Sequence, residues 1–556
     1  MPAAIPTITV GSGLGATAFM LTNEAATRTL GVKVFAALWA AQFLAYGFYC
    51  MFIYPFFLSP LRHLPTASGW QLGLGHSVQA INKGLGPTGR KWIAETPNDG
   101  FIRMFGPFHR EYVFVTSPAA LAEITVSKAY EFEKPRALRE VFGSVLGHGL
   151  VLVEGQEHKL QRRNLLPAFA FRHIKDLYPL FWSKACEVVQ VMSQECDADG
   201  RAEIEVEHWA GRVSLDVIGV AGMGRDFDAT HNEHDPLVKT YMSIATHTAQ
   251  DRLIFAMVDL LSSVLPPSFI LNPLVPRPRE MMRASKQIRG VCSDLIRAKK
   301  ERLRESKLDD VDILSVAMRS GVFDEEELVH HMMTFLGAGH ETTASALTLA
   351  IYALCCHPDI QTRLREEIRA NLPPVTDPRE MTSLEIDRLP YLGAVCSEAL
   401  RLYSPVPQSG RVAVRDTVIQ GQRMPKGTRL LLLPWAVNAD AGLWGADSSQ
   451  FRPERWLVAD AADGLGGTAA NAKDAALGGA SSNYAFMSFL HGPRSCIGMS
   501  FAKGEFACLL AAWVGRFEFE LRDKAMLDEA NIKFEQLVTS KIAGGLHVRM
   551  RVIPGY

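Results

Sequence analysis

The chain has 556 residues, nearly half of them apolar, enough for one large buried core or for two or three smaller domains. Its 58 Lys and Arg balance 59 Asp and Glu, so it carries no global field, basic tail or acidic tract that would favour nucleic acid. Nine cysteines are scattered without a C-x-x-C pair, which argues against a disulfide framework or zinc site and reads as a reducing compartment.

In chain order, residues 1–33 form an N-terminal segment. Residues 5–20 within it are weakly apolar and broken by glycines, and whether they also enter a membrane stays open at this point. No charged residue lies between Lys33 and Arg62, and Val34 to Ile53 is almost continuously apolar. Such a run of about 20 residues matches the roughly 30 Å hydrocarbon thickness of a bilayer. Tyr49, Tyr54, Phe56 and Phe57 stand where an interfacial aromatic belt is expected. Residues 34–58 therefore read as a single-pass transmembrane anchor. A cleaved signal peptide would need a shorter apolar region nearer Met1. Arg28 and Lys33 before the span, with Arg62 and His63 after it, leave the orientation undetermined by charge. Pro55, Pro60 and Pro65 read as a stiff hinge into the body, residues 59–556.

In the body, Tyr112–Thr116 reads as a strand and about Asp176 to Ala370 as a long helical region. Ile254–Leu274 is apolar but broken by Pro266, Pro267 and Pro273, so it packs in the core or dips into a membrane surface. Asp324–His357 reads as one long helix, with Asp324 and Glu327 at capping-box spacing and Pro358 as its stop. Pro358 then opens a shorter charged helix to Arg369. Thr428–Pro434, Phe517–Leu521 and Leu546–Ile553 have strand character, and the Ala/Gly-rich stretch 459–482 reads as a flexible surface insertion. Helices dominate the middle and strands collect at the ends, so the fold class expected is mainly α (α+β) in one domain.

The strongest chemical signal is Phe489-Leu-His-Gly492-Pro-Arg494-Ser-Cys496-Ile-Gly498. A thiolate needs donors, positive charge and preferably a helix start to stay ionised. Here Gly492 and Gly498 permit tight turns beside a large flat partner, Arg494 supplies a cation, and an apolar helical pattern follows from Ile497. A second signal lies in the long helix, Ala338-Gly339-His340-Glu341-Thr342-Thr343. Small residues at 338 and 339 allow close approach to the helix, while Glu341 and Thr342 are costly to bury without a task. Taken alone, Glu341 finding a buried partner and Thr342 bonding back to a carbonyl explains them as well.

The Cys496 loop resembles the haem-binding loop of the cytochrome P450 family, whose axial Cys thiolate ligation is a named example of haem chemistry. The resemblance covers about Leu64 to Pro554 and implies that family's fold, with a long central helix over the haem and small β-sheets. It implies haem b with Cys496 as metal ligand, Phe489 packed on the ligand loop and Arg494 on a propionate. By the same likeness Glu341 and Thr342 relay protons during dioxygen activation. Glu398, Arg401 and Arg455 match the family's structural Glu–Arg–Arg triad, with Trp456 where Phe is usual. His158 and Arg162 match a propionate-binding segment that often carries Trp at the histidine position, and Arg411 resembles the strand arginine over the haem edge.

The activity implied is monooxygenation of a lipophilic small molecule, a polyketide, terpenoid or fatty acid. The partners implied are O2, membrane lipid and an NADPH-cytochrome P450 reductase docking near Lys159, Arg163 and His491. Segments Val141–Val151, part of 240–262, Phe335–Gly339, Val406–Gly410 and Lys541–Gly545 would face substrate. Arg162–Phe181 is reminiscent of fungal secondary-metabolism members, and the location implied is the endoplasmic reticulum membrane with a cytosolic catalytic body. The rivals are a fatty-acid or other lipid hydroxylase, a reductase-independent haem-thiolate isomerase or dehydratase, and a non-catalytic haem-binding sensor.

Overall fold

The computed structural model describes residues 4–556 except 24–26, 246–247, 249, 252, 255–256, 259–275, 306–311, 378 and 460–465. Most of the proline-broken stretch 254–274 therefore lies outside the described residues.

A mainly helical body surrounds one long helix, Glu325–Cys356. Its start is the expected capping box: Asp324 accepts from the Glu327 amide at 2.8 Å and Glu327 from the Asp324 amide at 3.0 Å. Its C-terminal half is buried on all sides, so it runs through the core and packs most closely on the helix Val206–Ile218. Pro358 opens the next helix, Pro358–Asn371. The expected helical stretch from 176 to 370 is interrupted by a strand, Arg201–Glu205, which pairs antiparallel with His547–Val552. That strand in turn pairs with Phe517–Leu521, so a segment from the middle of the chain completes a sheet of C-terminal strands.

The larger sheet has five strands in the order Phe101–Phe105, Glu111–Val115, Arg429–Leu432, Ser409–Ala413, Phe132–Glu133. One pairing is parallel, Tyr112 opposite Arg429, and the others are antiparallel. It carries its own hydrophobic cluster, separate from the larger helical core. The expected insertion is less free than its composition implies. Ala472–Ala476 forms a capped helical turn, and Ala480 packs with Trp444 and Trp456.

At the N-terminus, α1 (Ala4–Thr22) precedes α2 (Arg28–Phe48), which continues through a π-helical turn to Leu58. The segment Arg28–Leu58 is long and apolar enough to cross a membrane. Its exit, expected as a hinge, is fastened to the body by side-chain hydrogen bonds. Pro55 has no N–H to give the preceding turn, and His109 Nδ1 donates to Met51 O at 2.7 Å. Arg103 donates to Pro55 O at 3.1 Å, which ties this end to the edge strand of the five-stranded sheet.

Candidate active site

Cys496 closes a tight loop. Gly492 has a φ of 72°, and a Cβ there would stand 2.1 Å from Thr125 O, so only glycine fits. A single turn, Gly492–Arg494, follows, and the Cys496 amide donates to Phe489 O at 2.9 Å. Gly498 has an ordinary φ of −88° and precedes the helix Met499–Arg516. A Cβ at Gly498 would meet Phe169 no closer than 3.8 Å, so this glycine leaves room and is not demanded by the backbone.

The cysteine keeps an accessible side, yet burial pushes its thiol up. Surface that is open but desolvated lines an interior hollow. The Gly498 amide and the Arg162 guanidinium work against burial at the sulfur. This corrects the expectation that Arg494 is the compensating cation. Arg162 is held in place by Ser495, donating to its carbonyl at 2.7 Å and its hydroxyl at 3.1 Å.

Arg494 turns instead to Glu154, with which it forms a buried ion pair. Lys134 joins the same carboxylate, its amide donating at 2.9 Å and its ammonium standing 3.9 Å away. Arg411 is buried beside them, donating to Ser409 Oγ at 2.8 Å. Burial, then Arg411, pushes Lys134 down to about 7; burial, then Arg494, pushes Arg411 down to about 10. His158 is also buried and pushed down to about 3 by burial and then Arg494, so its ring is neutral. Its Nδ1 lies 3.1 Å from the Tyr130 hydroxyl.

Three basic side chains thus crowd one carboxylate, and Arg494 Nε and Nη2 lack hydrogen-bond partners among the described residues. Buried cations in such excess are costly unless an anion joins them. A flat group bearing two carboxylates, beside an accessible cysteine, answers both features, so these residues fit a haem. Lys134, Glu154 and Tyr130 belong to this cradle although no local sequence pattern marks them.

The central helix opens at one stripe. Ala338 is exposed and Glu341 and Thr342 are half-buried, while Leu336, Thr343 and Ala344 are buried. Positions 338, 341 and 342 share a helix face. Gly339 does not belong to it, because a Cβ there would stand 2.7 Å from Ile218; its smallness serves helix packing. Thr342 Oγ1 donates to Ala338 O at 2.8 Å, and Glu341 accepts from Thr539 Oγ1 at 2.7 Å. Lys541, from a segment expected to face substrate, and Glu207, missed in the sequence, complete a charged cluster there. Thr343 Oγ1 donates to buried Glu505 on the helix that follows Cys496, which ties the two helices together.

Behind the site, Glu398 and Arg401 are fully buried. Arg401 donates to both Glu398 oxygens at 2.7 and 2.8 Å, and Arg455 Nε at 3.0 Å. The Arg452 amide and the Trp456 indole each add a bond at 2.9 Å, and the indole gives the departure from Phe a purpose. Lys159 and Arg163 are exposed, but His491 is half-buried, pushed down by burial and bonded to Phe486 O, so it offers no docking charge. A hollow bounded by Val141, Val145, Ile254, Met281 and Leu537 coincides with two of the segments expected to face substrate.

The family model described as Cytochrome P450 matches residues 94–544. Among curated relatives, Cytochrome P450 monooxygenase sphH of Aspergillus fumigatus is 43% identical over 498 residues, covering 88% of this chain and 89% of the relative. Cytochrome P450 monooxygenase FUM15 of Gibberella moniliformis is 39% identical, covering 94% and 95%. Cytochrome P450 monooxygenase buaD of Petromyces alliaceus is 39% identical, covering 94% of each. The chain belongs to the cytochrome P450 family and is a monooxygenase; the family implies haem with a cysteine thiolate ligand, O2, a redox partner and a lipophilic substrate.

Proposed function

We propose that this monooxygenase oxidises a lipophilic secondary metabolite, a polyketide or terpenoid, with electrons from an NADPH-cytochrome P450 reductase. The balance for a hydroxylation is RH + O2 + NADPH + H+ giving ROH + H2O + NADP+. The observation that carries the reading is the buried excess of basic side chains around Glu154 beside the accessible Cys496. On this reading Cys496 ligates the iron of haem b, and Arg494, Arg411, Lys134, Arg162 and His158 receive its propionates. Phe489, Gly492 and Gly498 shape the ligand loop, while Ala338 keeps the facing helix slim and Gly339 lets that helix pack closely on Ile218.

When bound, the haem supplies dioxygen activation and transfer of one oxygen atom to substrate. The chain's own groups bind, orient and move protons. Glu341 is the acid that collects a proton and Thr342 the alcohol that passes it on, once its hydroxyl leaves the Ala338 carbonyl. The apolar hollow by Val141 and Met281 supports an oily ligand. Arg28–Leu58 anchors the protein in the endoplasmic reticulum membrane with residues 59–556 as the cytosolic catalytic domain, and exposed Lys159 and Arg163 serve reductase docking.

The test is reconstitution with the reductase. Substrate from a metabolite comparison of strains with and without the gene should stimulate NADPH oxidation and acquire one oxygen atom from O2. The Cys496→Ala variant should lose the reduced-CO absorption band of thiolate-ligated haem. An unchanged band would remove Cys496 as ligand; turnover of a hydroperoxide without reductase, or of fatty acids only, would overturn the substrate and electron assignments.

A further inference from the structure

α1 lies along α2 in a defined register. A Cβ added at Gly15 would stand 2.8 Å from Leu38 Cδ1, one at Gly11 3.4 Å from Gln42 Oε1, and one at Gly31 2.8 Å from Met20 Sδ. As position rises on one helix its partner falls on the other, so the pair is antiparallel. Trp39 Nε1 donates to Thr9 Oγ1 at 3.2 Å across the seam.

The seam side of α1 is mostly small residues. Ile8, Ser12 and Ala16 are buried at four-residue intervals, with Gly11 and Gly15 between them. Glycines spaced by four let two backbones approach, a device of helices that pack in lipid where the hydrophobic effect gives no drive. The opposite side is apolar and open: Val10, Leu14 and Leu21 are 62%, 68% and 82% exposed, and Leu44 on α2 is 69% exposed. Such a surface belongs in hydrocarbon.

Length and polarity agree. α1 has 19 residues, which at about 1.5 Å each reaches nearly the roughly 30 Å of a bilayer core. No charged side chain occurs from Met1 to Asn23; the first in the sequence are Glu24 and Arg28. Thr17 and Thr22 donate their hydroxyls to Gly13 O at 2.9 Å and Ala18 O at 3.0 Å, which satisfies them without water.

We propose that α1 is a second membrane-crossing helix, forming with α2 a hairpin that returns residues ahead of Ala4 to the side of the catalytic body. This replaces the single crossing expected from the sequence and rests on the reading of Arg28–Leu58 as a membrane anchor. The partner of the outer face is the acyl-chain region of the bilayer.

The experiment uses the full chain in sealed microsomes, with a C-terminal epitope as marker of the catalytic side. One version carries a spacer and N-glycosylation acceptor ahead of Met1, another the same insert after Asn23. The hairpin gives glycosylation at the turn only, with the C-terminal epitope open to added protease. Glycosylation ahead of Met1, or at neither place, overturns it. Because the turn insert could disturb folding, a second measurement labels a cysteine placed at Pro2, in a Cys50→Ser background, with a membrane-impermeant maleimide. The cysteine at Pro2 is expected to add labelling in intact vesicles beyond that of the Cys50→Ser chain alone, and added labelling only after detergent overturns the hairpin. Release of the chain by alkaline carbonate would instead defeat the anchor reading itself.

Discussion

Lys541 Nζ stands 3.3 Å from Glu341 Oε1 and 2.6 Å from Glu207 Oε1, so one ammonium serves two carboxylates. Burial works against its charge, but Glu341 and Glu207 outweigh burial and hold Lys541 above the usual lysine range. The ammonium therefore sets where Glu341 points. Lys541→Met should keep the reduced-CO band and lower coupled turnover roughly tenfold, a part of what a positioned proton donor supplies, and Lys541→Arg should recover most of it. Unchanged turnover in Lys541→Met would show that the cation does not position the acid.

Thr342 gives its hydroxyl to Ala338 O in the resting structure, so the proposed proton relay requires a change of partner during turnover. Thr342→Ala should retain haem and NADPH oxidation while diverting most reducing equivalents to hydrogen peroxide. Thr342→Ser should stay coupled. Peroxide release and product per NADPH decide it, and full coupling in the alanine variant removes Thr342 from proton handling.

Glu398 neutralises two buried arginines and also accepts from the Trp456 indole. Trp456→Phe loses one bond to a charged acceptor and should cost about 1.5–3 kcal/mol. Glu398→Gln takes the only carboxylate from Arg401 among the described residues, while Arg455 keeps Asp447 at 3.3 Å, and should cost about 3–5 kcal/mol, enough to deplete folded holoprotein. Denaturant midpoints measure both, and equal midpoints would contradict the network.

Glu505 is fully buried, and burial pushes its carboxyl from an ordinary 4.5 up to about 8. The folded state thus binds this proton more tightly than the unfolded chain. Its contribution is intact below pH 4.5 and is lost as pH rises through about 8. Wild type should lose more stability between about pH 5 and about pH 8.5 than Glu505→Gln, read as the difference in melting temperature. Parallel pH curves would refute a neutral Glu505.

Among the described residues, Glu154 alone answers Lys134, Arg411 and Arg494 together. Lys134→Met and Arg411→Leu should therefore lower the haem-to-protein ratio of purified material and speed haem transfer to apomyoglobin. Arg163→Ala, exposed on the outside, should leave both unchanged.

Much of this protein is written in short stretches of sequence. Asp324 and Glu327 announce the central helix, Pro358 its end, the run from Val34 a helix long and apolar enough to cross a membrane, and Gly492 the tight loop that ends at Cys496, because caps, prolines, apolar runs and tight turns act on residues a few positions apart. Tertiary structure alone decided what meets the sulfur and the acid. Arg162 reaches Ser495 across 333 positions, Glu154 captures Arg494 across 340, and Thr539 finds Glu341 across 198. Contacts at such separations leave no periodicity to read, since they depend on how sheets and helices stack. The small residues of α1 look like breaks in an apolar pattern until α2 lies against them.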